Sequence, residues 1–466
     1  MFMAFLDVTI VNIAFPSIQS AFNDADLAEL SWILNGYNVI FAALLVPAGR
    51  LADLLGRRRL FIFGLLVFTA ASALCGAAPS VEFLIAARVA QAVGAAVLIP
   101  ASLALLLPAF PLEERATAVG LWGAAGAVSA GIGPSLGGVL INAFDWRAVF
   151  YVNLPLGLFA AAAGMRVLSE SRDPERGAVP DLLGIAAATA AMGLLALGIV
   201  QGNDWGWGSE RVVGSLVAAA ALGALFVWRS RRHPTPVVEL SLLRVRGFAA
   251  ANAGTLLFAS GFYALALCNV LYLTQVWGYS TLTAGFALTP APLAAALVAG
   301  PAGRLADRFG QRVVTVPGAI LFTLAVALFV VRVGPQPSYF DEWLPQITLA
   351  GVGIGLAFPA LTSAAVTALP ASRYGVGSAV NSAARQLGAV LGIALLVAIL
   401  GTPRGPGALD AFDDGWTFVA LTGLASVWAA LALRPPDGDS AGDRKAPTAT
   451  GRGSARGRRR PSRVAR

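Results

Sequence analysis

The chain has 466 residues, of which 57% are hydrophobic and 12% are charged, and its formal net charge is +8. Because a soluble protein carries roughly 25% charged residues, this composition excludes an ordinary soluble fold and indicates that lipid solvates most of the chain. The positive charge is not by itself a sign of nucleic-acid binding, since much of it lies in short loops and in the Arg-rich segment 452–466.

Fourteen apolar runs are each long enough to cross a membrane as a helix, which takes about 20 residues. In chain order, they lie at 1–22, 30–52, 60–79, 82–107, 116–141, 147–167, 182–200, 211–229, 248–274, 281–302, 313–332, 344–368, 376–400 and 415–433. We therefore predict an all-α integral membrane protein with fourteen transmembrane helices. Because the first run begins at Met1, either its helix starts at the membrane surface or a short basic leader precedes it, and we favour a leader.

The arginines indicate which loops are cytoplasmic. The loops after every second run hold most of them, whereas the opposite loops hold only Arg147, Arg211, Arg332 and Arg404. Basic residues are retained on the cytoplasmic side of a membrane, so this alternation places both termini in the cytoplasm. The Arg- and Ala-rich composition favours a bacterial gene, and hence a multi-pass protein of the plasma membrane.

A repeated segment divides the chain. The residues Pro-Ala-Gly-Arg-Leu-Ala-Asp at 47–53 recur letter for letter at 301–307, at the ends of the second and the tenth apolar runs. Each copy continues into a Gly and more Arg, Gly56-Arg57-Arg58 and Gly310-Gln311-Arg312, and we call these charged segments the first and the second hairpin. Duplicated halves are typical of secondary transporters. Runs one to six then correspond to runs nine to fourteen, and the seventh and eighth runs are an insertion. The predicted domains are an N-terminal six-helix half (1–167), a linker with two inserted helices (168–247), a C-terminal six-helix half (248–433) and a disordered basic cytoplasmic tail (434–466).

Asp7 and Arg88 are ionisable residues that stand within apolar runs and belong to recognisable segments. Asp7 lies in the segment LDVTIVNIAFP of the first run, and Arg88 begins the segment RVAQAVGAA of the fourth. A charged residue at the bilayer centre costs at least about 2.5–3.5 kcal/mol, so such residues face a cavity or a partner and mark functional sites. Alternatively, Asp7 touches lipid headgroups near a helix end, and Arg88 snorkels to the outer surface near Glu82.

The fifth run carries a motif of small residues and one proline, formed by Gly126, Gly133, Pro134, Gly137 and Gly138. Glycines let a neighbouring helix approach closely, and a proline bends a helix, so the motif predicts a groove for another helix. Generic small-residue packing is the alternative, and the spacing Gly-Pro-x-x-Gly-Gly weakens it.

Taken in this order, the Asp7 segment, the repeated hairpin, the Arg88 segment and the glycine motif resemble the major facilitator superfamily, and within it the fourteen-span branch of drug:proton antiporters. The resemblance covers about residues 1–433 and implies that superfamily's fold, with two six-helix halves plus two inserted helices. It implies proton coupling at Asp7 and Arg88, and antiport from the glycine motif. It assigns the hairpins to cytoplasmic gating through Gly49, Arg50, Asp53, Gly56, Arg57, Arg58, Gly303, Asp307 and Arg308.

The chain also departs from the pattern of this branch. Ala92 stands where glycine is commonest, and Gln311 replaces a basic residue in the second hairpin. Some members carry an acidic residue in the tenth span, associated with dicationic substrates, whereas the tenth run here has none. We therefore expect a monocationic, zwitterionic or neutral substrate.

Polar side chains within the runs predict a substrate cavity. The candidates are Asn12, Tyr37, Asn38, Gln91, Asn381 and Arg385. Because aromatic residues near span ends often anchor at the membrane interface, that position is the alternative for Tyr37. An inward-facing loop position is the alternative for Arg385.

The predicted function is export of small amphiphilic drugs or metabolites by alternating access, driven by the proton-motive force. The sequence lacks the phosphate-binding glycine loop of an ATP-driven pump. No enzyme activity, cofactor, metal site or nucleic-acid partner is predicted. The expected partners are the substrate, protons and the lipid bilayer, and the expected state is a monomer. The alternatives are a non-transporting membrane sensor or scaffold, and an exporter dedicated to one endogenous metabolite.

Overall fold

The computed structural model describes residues 2–106, 110, 115–172, 181–369, 374–401 and 408–433. Within these ranges the chain is helical, as predicted, and contains no strand. The long helices are α1 (Phe2–Ala21), α2 (Leu27–Leu55), α3 (Arg57–Gly76), α4 (Val81–Leu106), α5 (Arg115–Ala143), α6 (Asn153–Val167), α7 (Leu182–Val200), α8 (Glu210–Arg232), α9 (Arg246–Leu271), α10 (Thr281–Leu288 and Pro290–Phe309), α11 (Gln311–Arg332), α12 (Leu344–Thr367), α13 (Tyr374–Leu400) and α14 (Ala408–Leu431). Short helical turns lie at Ala148–Tyr151, Gly202–Trp205, Leu240–Arg244, Tyr272–Val276 and Tyr339–Trp343.

Each predicted span coincides with one of these helices. By length and composition, twelve helices among the described residues are long and apolar enough to cross a membrane. The two predicted spans outside this set are α5, whose described apolar part is Ile132–Ala143, and α14, which begins with the acidic residues Asp410, Asp413 and Asp414. A total of fourteen spans therefore stays a prediction.

Local chemistry sets several of the helix ends. The α2 helix begins at Leu27, earlier than predicted, because the Asp26 side chain accepts a hydrogen bond from the Glu29 backbone N–H at 2.6 Å. Gly56, with φ of +115°, separates α2 from α3. The tenth predicted run is divided at Thr289, where Pro290 starts the second segment of α10.

The outer surface of the bundle is strongly apolar. Large hydrophobic side chains there are mostly exposed, among them Val331 at 80%, Leu297 at 78%, Phe159 at 76% and Trp428 at 70%. A soluble monomer rarely exposes contiguous apolar surface of this kind, because water solvates it poorly. These faces fit a bilayer as their solvent.

The helices of the first and last six spans pack in the same pairs. In the first set, α3 packs on α4, α2 on α4, α1 on α5 and α3 on α6. The counterparts in the second set are α11 on α12, α10 on α12, α9 on α13 and α11 on α14. The same eight-helix offset separates the two copies of the repeated hairpin.

Close glycine contacts repeat with the same offset. A Cβ added to Gly94 of α4 would lie 2.6 Å from the Phe68 backbone nitrogen of α3. A Cβ added to Gly353 of α12 would lie 2.6 Å from the Phe322 backbone nitrogen of α11. Both helix pairs therefore need a glycine at this crossing, which indicates that the packing itself is duplicated.

Two main interfaces join the duplicated sets, and α1 adds smaller contacts with α9 and α10. The α2 helix packs on α13, and α5 packs on α10, which is the symmetric counterpart of that contact. The α7 helix packs on its neighbour α8 and also on both α2 and α13. The α7 helix, one of the two predicted inserted helices, therefore lies at a junction of the two sets. The domain boundaries at 167, 247 and 433 stay a prediction.

Candidate functional site

A buried ion pair joins α1 to α4. The Arg88 Nη1 atom donates to Asp7 Oδ2 at 2.5 Å, and the two side chains are 1% and 0% exposed. This burial excludes both a headgroup position for Asp7 and a snorkelling position for Arg88. A charge buried away from water is retained only when another charge compensates it, so each residue depends on the other.

Three more side chains complete this group, which we call the ion-pair cluster (Asp7, Arg88, Gln91, Asn153 and Ser72). Asp7 Oδ1 accepts hydrogen bonds from Gln91 Nε2 at 2.7 Å and from Asn153 Nδ2 at 3.1 Å. Gln91 Nε2 also donates to Ser72 Oγ at 2.8 Å, and Gln91 Oε1 accepts from Arg88 Nη1 at 2.6 Å. Helices α1, α3, α4 and α6 therefore meet at one polar cluster.

The second helix closes the cluster from another side. Arg88 Nε donates to the Ile33 carbonyl of α2 at 3.2 Å. The Arg88 guanidinium also lies 4.2 Å from the centroid of the Tyr37 ring, within cation–π distance. The Tyr37 hydroxyl is buried and has no hydrogen-bond partner among the described residues. The cluster therefore borders a polar group that is able to accept or donate when it rearranges.

Sequence reasoning identified Asp7 and Arg88 separately but missed some of their partners. Gln91 stands three residues after Arg88, on the same helix face, and that spacing was an available signal. Asn153 begins the NLPLG segment that resembles the family's connection between spans five and six. Nothing in the sequence distinguishes Ser72 from other serines in apolar runs. Gln91 belongs to the cluster and Tyr37 borders it, and neither is among the described residues that line the central cavity.

The central cavity has a volume of about 420 Å³ and lies between helices of both sets. Its walls come from α1, α5, α9, α10, α12 and α13 and are mostly apolar, with the aromatic rings of Phe5, Phe262 and Phe358. Of the predicted cavity residues, Asn12 and Arg385 line it. A cavity of this size and character suits a drug-sized molecule.

The remaining predicted cavity residues are buried elsewhere. Asn381 of α13 donates from Nδ2 to Thr255 Oγ1 of α9 at 2.8 Å, so it joins two helices of the second set. Asn38 is 3% exposed, and its Oδ1 atom has no hydrogen-bond partner among the described residues. Neither residue is among those that line the cavity.

The α1 helix separates the cavity from the ion-pair cluster. Phe5, Val8, Thr9 and Asn12 follow the spacing of one helix face, and all four line the cavity. Asp7 lies on the opposite face, toward α4 and α6. A shift of α1 therefore changes the cluster and the cavity together.

The glycine motif of α5 holds α1 and α10 in close contact. A Cβ added to Gly133 would lie 2.0 Å from Thr9 Oγ1, and one added to Gly137 would lie 2.4 Å from Ile13 Cγ2, both on α1. A Cβ on Gly138 would lie 3.0 Å from Leu282 Cα of α10. The two remaining motif residues, Gly126 and Pro134, line the cavity.

Two hydrogen bonds join the sets at one end of the bundle. Ser17 Oγ and Thr281 Oγ1 are 3.0 Å apart, and Gln275 Nε2 donates to Gln19 Oε1 at 3.1 Å. These residues lie near the connections from α1 to α2 and from α9 to α10. The contact between Gly138 and α10 lies close by, so the two sets contact each other at this end of the bundle.

The first hairpin has a carboxylate cap that was not predicted. Glu170, which follows α6, accepts from the backbone N–H groups of Arg58 at 3.1 Å and Arg59 at 3.3 Å. Its Oε2 atom is also 3.8 Å from Arg59 Nε. Carboxylates stabilise helix N-termini by this geometry. A Cβ on Gly56 would lie 2.7 Å from Glu170 Oε1, so a glycine is needed beside the cap.

Further contacts bind the first hairpin to the chain after α6. The Arg58 guanidinium donates to the Met165 carbonyl, and the Arg57 backbone N–H donates to the Ser171 carbonyl at 3.0 Å. Gly49 contacts α4, where an added Cβ would lie 3.3 Å from Pro100 Cβ. The side chains of Arg50 and Asp53 lie outside the described part of the chain.

The second hairpin has the same turn with different surroundings. Gly310, with φ of +90°, separates α10 from α11 as Gly56 separates α2 from α3. Gly303, the counterpart of Gly49, faces open space. Arg308 is exposed, with its guanidinium 5.1 Å from the Phe309 ring centroid, and Gln311 Nε2 donates to Ser363 Oγ at 2.9 Å. The Asp307 side chain is not described.

Duplicated helix packing, a cavity between the two sets and a buried ion pair beside it are the architecture of a secondary membrane transporter. The family model described as Major Facilitator Superfamily matches residues 1–250 and 251–463. The chain belongs to this superfamily, whose members are transporters and not enzymes.

Individual relatives are similar over most of the chain. Multidrug resistance protein Stp of Mycobacterium tuberculosis is 36% identical over 401 residues, which are 86% of this chain and 74% of that protein. The Probable actinorhodin transporter of Streptomyces coelicolor is 34% identical over 425 residues, which are 89% of this chain and 73% of that protein. Among solved structures, the nucleoside transporter NupG has a similar fold, with a TM-score of 0.61 and 11% identity over 93% of this chain and 98% of that one.

Proposed function

We propose that this protein is a drug:proton antiporter that exports small amphiphilic drugs or metabolites, driven by the proton-motive force. The observation that carries the proposal is the buried Asp7–Arg88 pair, which lies on the back of the helix whose front lines the cavity. The names of the relatives, a multidrug resistance protein and a probable transporter of actinorhodin, support a small organic substrate.

Proton binding at Asp7 disrupts the ion-pair cluster. Asp7 Oδ2 faces a donor of Arg88, and Asp7 Oδ1 faces the amide donors of Gln91 and Asn153. A proton on either oxygen therefore points at a donor. It also removes the negative charge that compensates the guanidinium, which itself stays charged. The protonated state then favours a different position of α1 relative to α4.

The α5 helix transmits a movement of α1 across the bundle. Gly133 and Gly137 leave no space for another atom between α5 and α1, so the two helices move as one body. The same α5 helix meets α10 at Gly138. Proton binding therefore biases the interface between the sets, which is the element that alternating access must open and close.

The orientation predicted from the arginines relates this conformation to transport. With both termini in the cytoplasm, the Ser17–Thr281 and Gln19–Gln275 contacts lie at the extracellular side. On this proposal these contacts keep the cavity closed to the outside, and the substrate enters from the cytoplasm or the inner leaflet. Export requires these contacts to break while the two hairpins, the first of which is capped by Glu170, close the opposite side.

The wider organisation belongs to the same proposal. Fourteen spans form two six-helix halves, 1–167 and 248–433, with an inserted pair within 168–247. The protein is a monomer in the bacterial plasma membrane, and both termini are cytoplasmic. The cytoplasmic tail from residue 434 lies outside the described residues. Similarity to a transporter named for one compound supports the narrower alternative, an exporter dedicated to a single metabolite.

The test is substrate-driven proton movement in everted membrane vesicles from cells that make the protein. A susceptibility panel of dyes, biocides and antibiotics first identifies a compound to which the chain confers tolerance. Addition of that compound to energised vesicles should dissipate the pH gradient, reported by a fluorescent amine. The Asp7→Asn variant should lose this response, because an amide, unlike a carboxylate, does not bind and release a proton.

Asp145→Asn is the matched control. Asp145 lies in the loop between α5 and α6, its side chain is 52% exposed, and its ion pair with Arg147 is local. This variant should respond as the wild type does. Proton-driven efflux that survives in Asp7→Asn would rule out Asp7 as the coupling group.

Unchanged tolerance to the whole panel would favour the dedicated metabolite exporter.

A further inference from the structure

The central cavity contains one cation and no carboxylate among the described residues that line it. The cation is Arg385, near the middle of α13, and it reaches the cavity from the second set of helices. Its guanidinium carbon is 5.6 Å from the ring centroid of Phe5, which belongs to α1. Arg385 therefore lies where the two sets meet around the substrate space.

The hydrogen-bonding capacity of Arg385 is open. Its Nε atom is buried and has no hydrogen-bond partner among the described residues. The contrast is Arg88, whose guanidinium nitrogens donate to Asp7, Gln91 and the Ile33 carbonyl. Holding a charge in a membrane interior without a compensating anion is costly, and such residues mark substrate or ion pathways.

The rest of the cavity wall indicates which chemical groups a ligand of Arg385 would carry besides the one that the guanidinium binds. Phe5, Phe262 and Phe358 present aromatic rings, and the polar groups beside them are the amides of Asn12 and Asn269 and the hydroxyls of Thr9, Tyr263 and Thr362. Aromatic walls favour flat, aromatic molecules. A guanidinium recognises a carboxylate through two parallel charge-assisted hydrogen bonds, a geometry that no neutral cavity group provides.

We infer that the preferred substrates are aromatic amphiphiles that carry an acidic group, and that Arg385 binds this group while the rings occupy the apolar wall. The inference rests on the proposed export function and names its substrate class. It changes the substrate expectation from the sequence, since it adds anionic substrates and disfavours monocationic ones. A monocationic substrate would face the Arg385 charge in a space of low dielectric constant.

A charge series on one dye scaffold tests the inference by binding alone. Fluorescein is anionic, rhodamine B carries a free carboxylate beside its cationic xanthene, and its ethyl ester is a plain cation. Purified full-length protein in detergent should bind fluorescein and rhodamine B at least about tenfold more tightly than the ester, read by fluorescence polarisation. Equal or tighter binding of the ester by the wild type overturns the inference without any variant.

Substitutions then assign the preference to Arg385. Arg385→Gln should weaken binding of the two acids by about tenfold or more and leave the ester unchanged or tighter. Arg385→Lys should keep part of the preference, because the charge remains and the fork geometry is lost. The control is Arg332→Gln, an exposed arginine at the end of α11. A merely structural role of Arg385 would weaken all three dyes alike, and that result also overturns the inference.

The vesicle assay separates this inference from the proposed function. If the protein exports cations in an Asp7-dependent way and Arg385→Gln has no effect, the substrate class is wrong and antiport stands. If Arg385 governs acid binding but no compound moves protons, the substrate class stands and antiport fails.

Discussion

Removal of one member of the Asp7–Arg88 pair should destabilise the protein far more than removal of both. Asp7→Asn replaces one acceptor by an NH2 group, which in either orientation faces a donor of Arg88 or the donors of Gln91 and Asn153. It also leaves the Arg88 charge, 1% exposed, without an anion. Leaving one buried charge unpaired typically costs about 3–5 kcal/mol.

The double variant Asp7→Asn/Arg88→Gln carries no buried charge. Its amides are able to pair with each other and with Gln91, so most of the penalty of either single variant should be absent. The coupling energy of the double-mutant cycle is then about 3 kcal/mol or more. In the exposed pair, Arg147 Nη1 lies 3.2 Å from Asp145 Oδ2, and the side chains are 39% and 52% exposed. The coupling energy of this pair should be about 1 kcal/mol or less.

The measurement is the free energy of unfolding of purified protein in mixed micelles titrated with SDS, for both cycles side by side. A coupling energy at the buried pair no larger than at the exposed pair would refute the reasoning from burial. A transport assay on the double variant separates an effect on stability from an effect on mechanism. The double variant should fold nearly as well as the wild type and still lack proton-driven efflux.

Two further predictions concern helix contacts. Glu170→Ala removes the cap of α3, so it should lower the free energy of unfolding by about 1 kcal/mol and slow efflux. The control is Glu210→Ala, at a helix start that Ser209 already caps, and it should change neither quantity. Equal effects of both would contradict the cap. Gly137→Ala places a Cβ 2.4 Å from Ile13 Cγ2, so this variant should reduce both thermal stability and efflux. The control is Gly193→Ala, where the added Cβ meets open space, and its thermal stability should be unchanged or higher. Wild-type efflux by Gly137→Ala would show that α1 and α5 need no close contact.

The positions of the helices could be predicted because apolar length determines them. The discrepancies have local causes. The α14 helix begins at Ala408, seven residues before the predicted span, because Asp410, Asp413 and Asp414 resemble a loop in sequence but continue the helix beyond its apolar part. The break in α10 comes from Pro290, which lies inside an otherwise continuous apolar run. Neither the early start of α14 nor the break in α10 can be predicted from the length of the apolar runs alone.

The charged residues of the candidate site could be predicted one at a time, whereas most of their contacts could not. Asp7 and Arg88 are conspicuous because each is charged within an apolar run, but 81 residues separate them, and only the packing of α1 beside α4 brings them together. Glu170 lies in a polar linker where an acidic residue is ordinary, and its role depends on where α3 begins. Such roles arise from tertiary contacts that a single sequence does not encode locally.

The two sets of helices have diverged at the positions that carry charge. Arg88 stands six residues before Gly94, and the residue six before the matching Gly353 is Ile347, which lines the cavity. Arg385 stands three residues before Gly388, which contacts α9 as Gly133 contacts α1, and the residue three before Gly133 is Ala130. Each set thus has one intramembrane arginine where the other has an alkyl side chain.

This divergence gives α1 its place in the proposed mechanism. Asp7 faces Arg88 in the first set, and Phe5, two residues earlier on the opposite face, contacts Arg385 from the second set. A proton on Asp7 and an acid on Arg385 therefore act on the same helix from its two sides. If the proposal holds, each ligand changes the position that α1 prefers, so each should alter the affinity for the other.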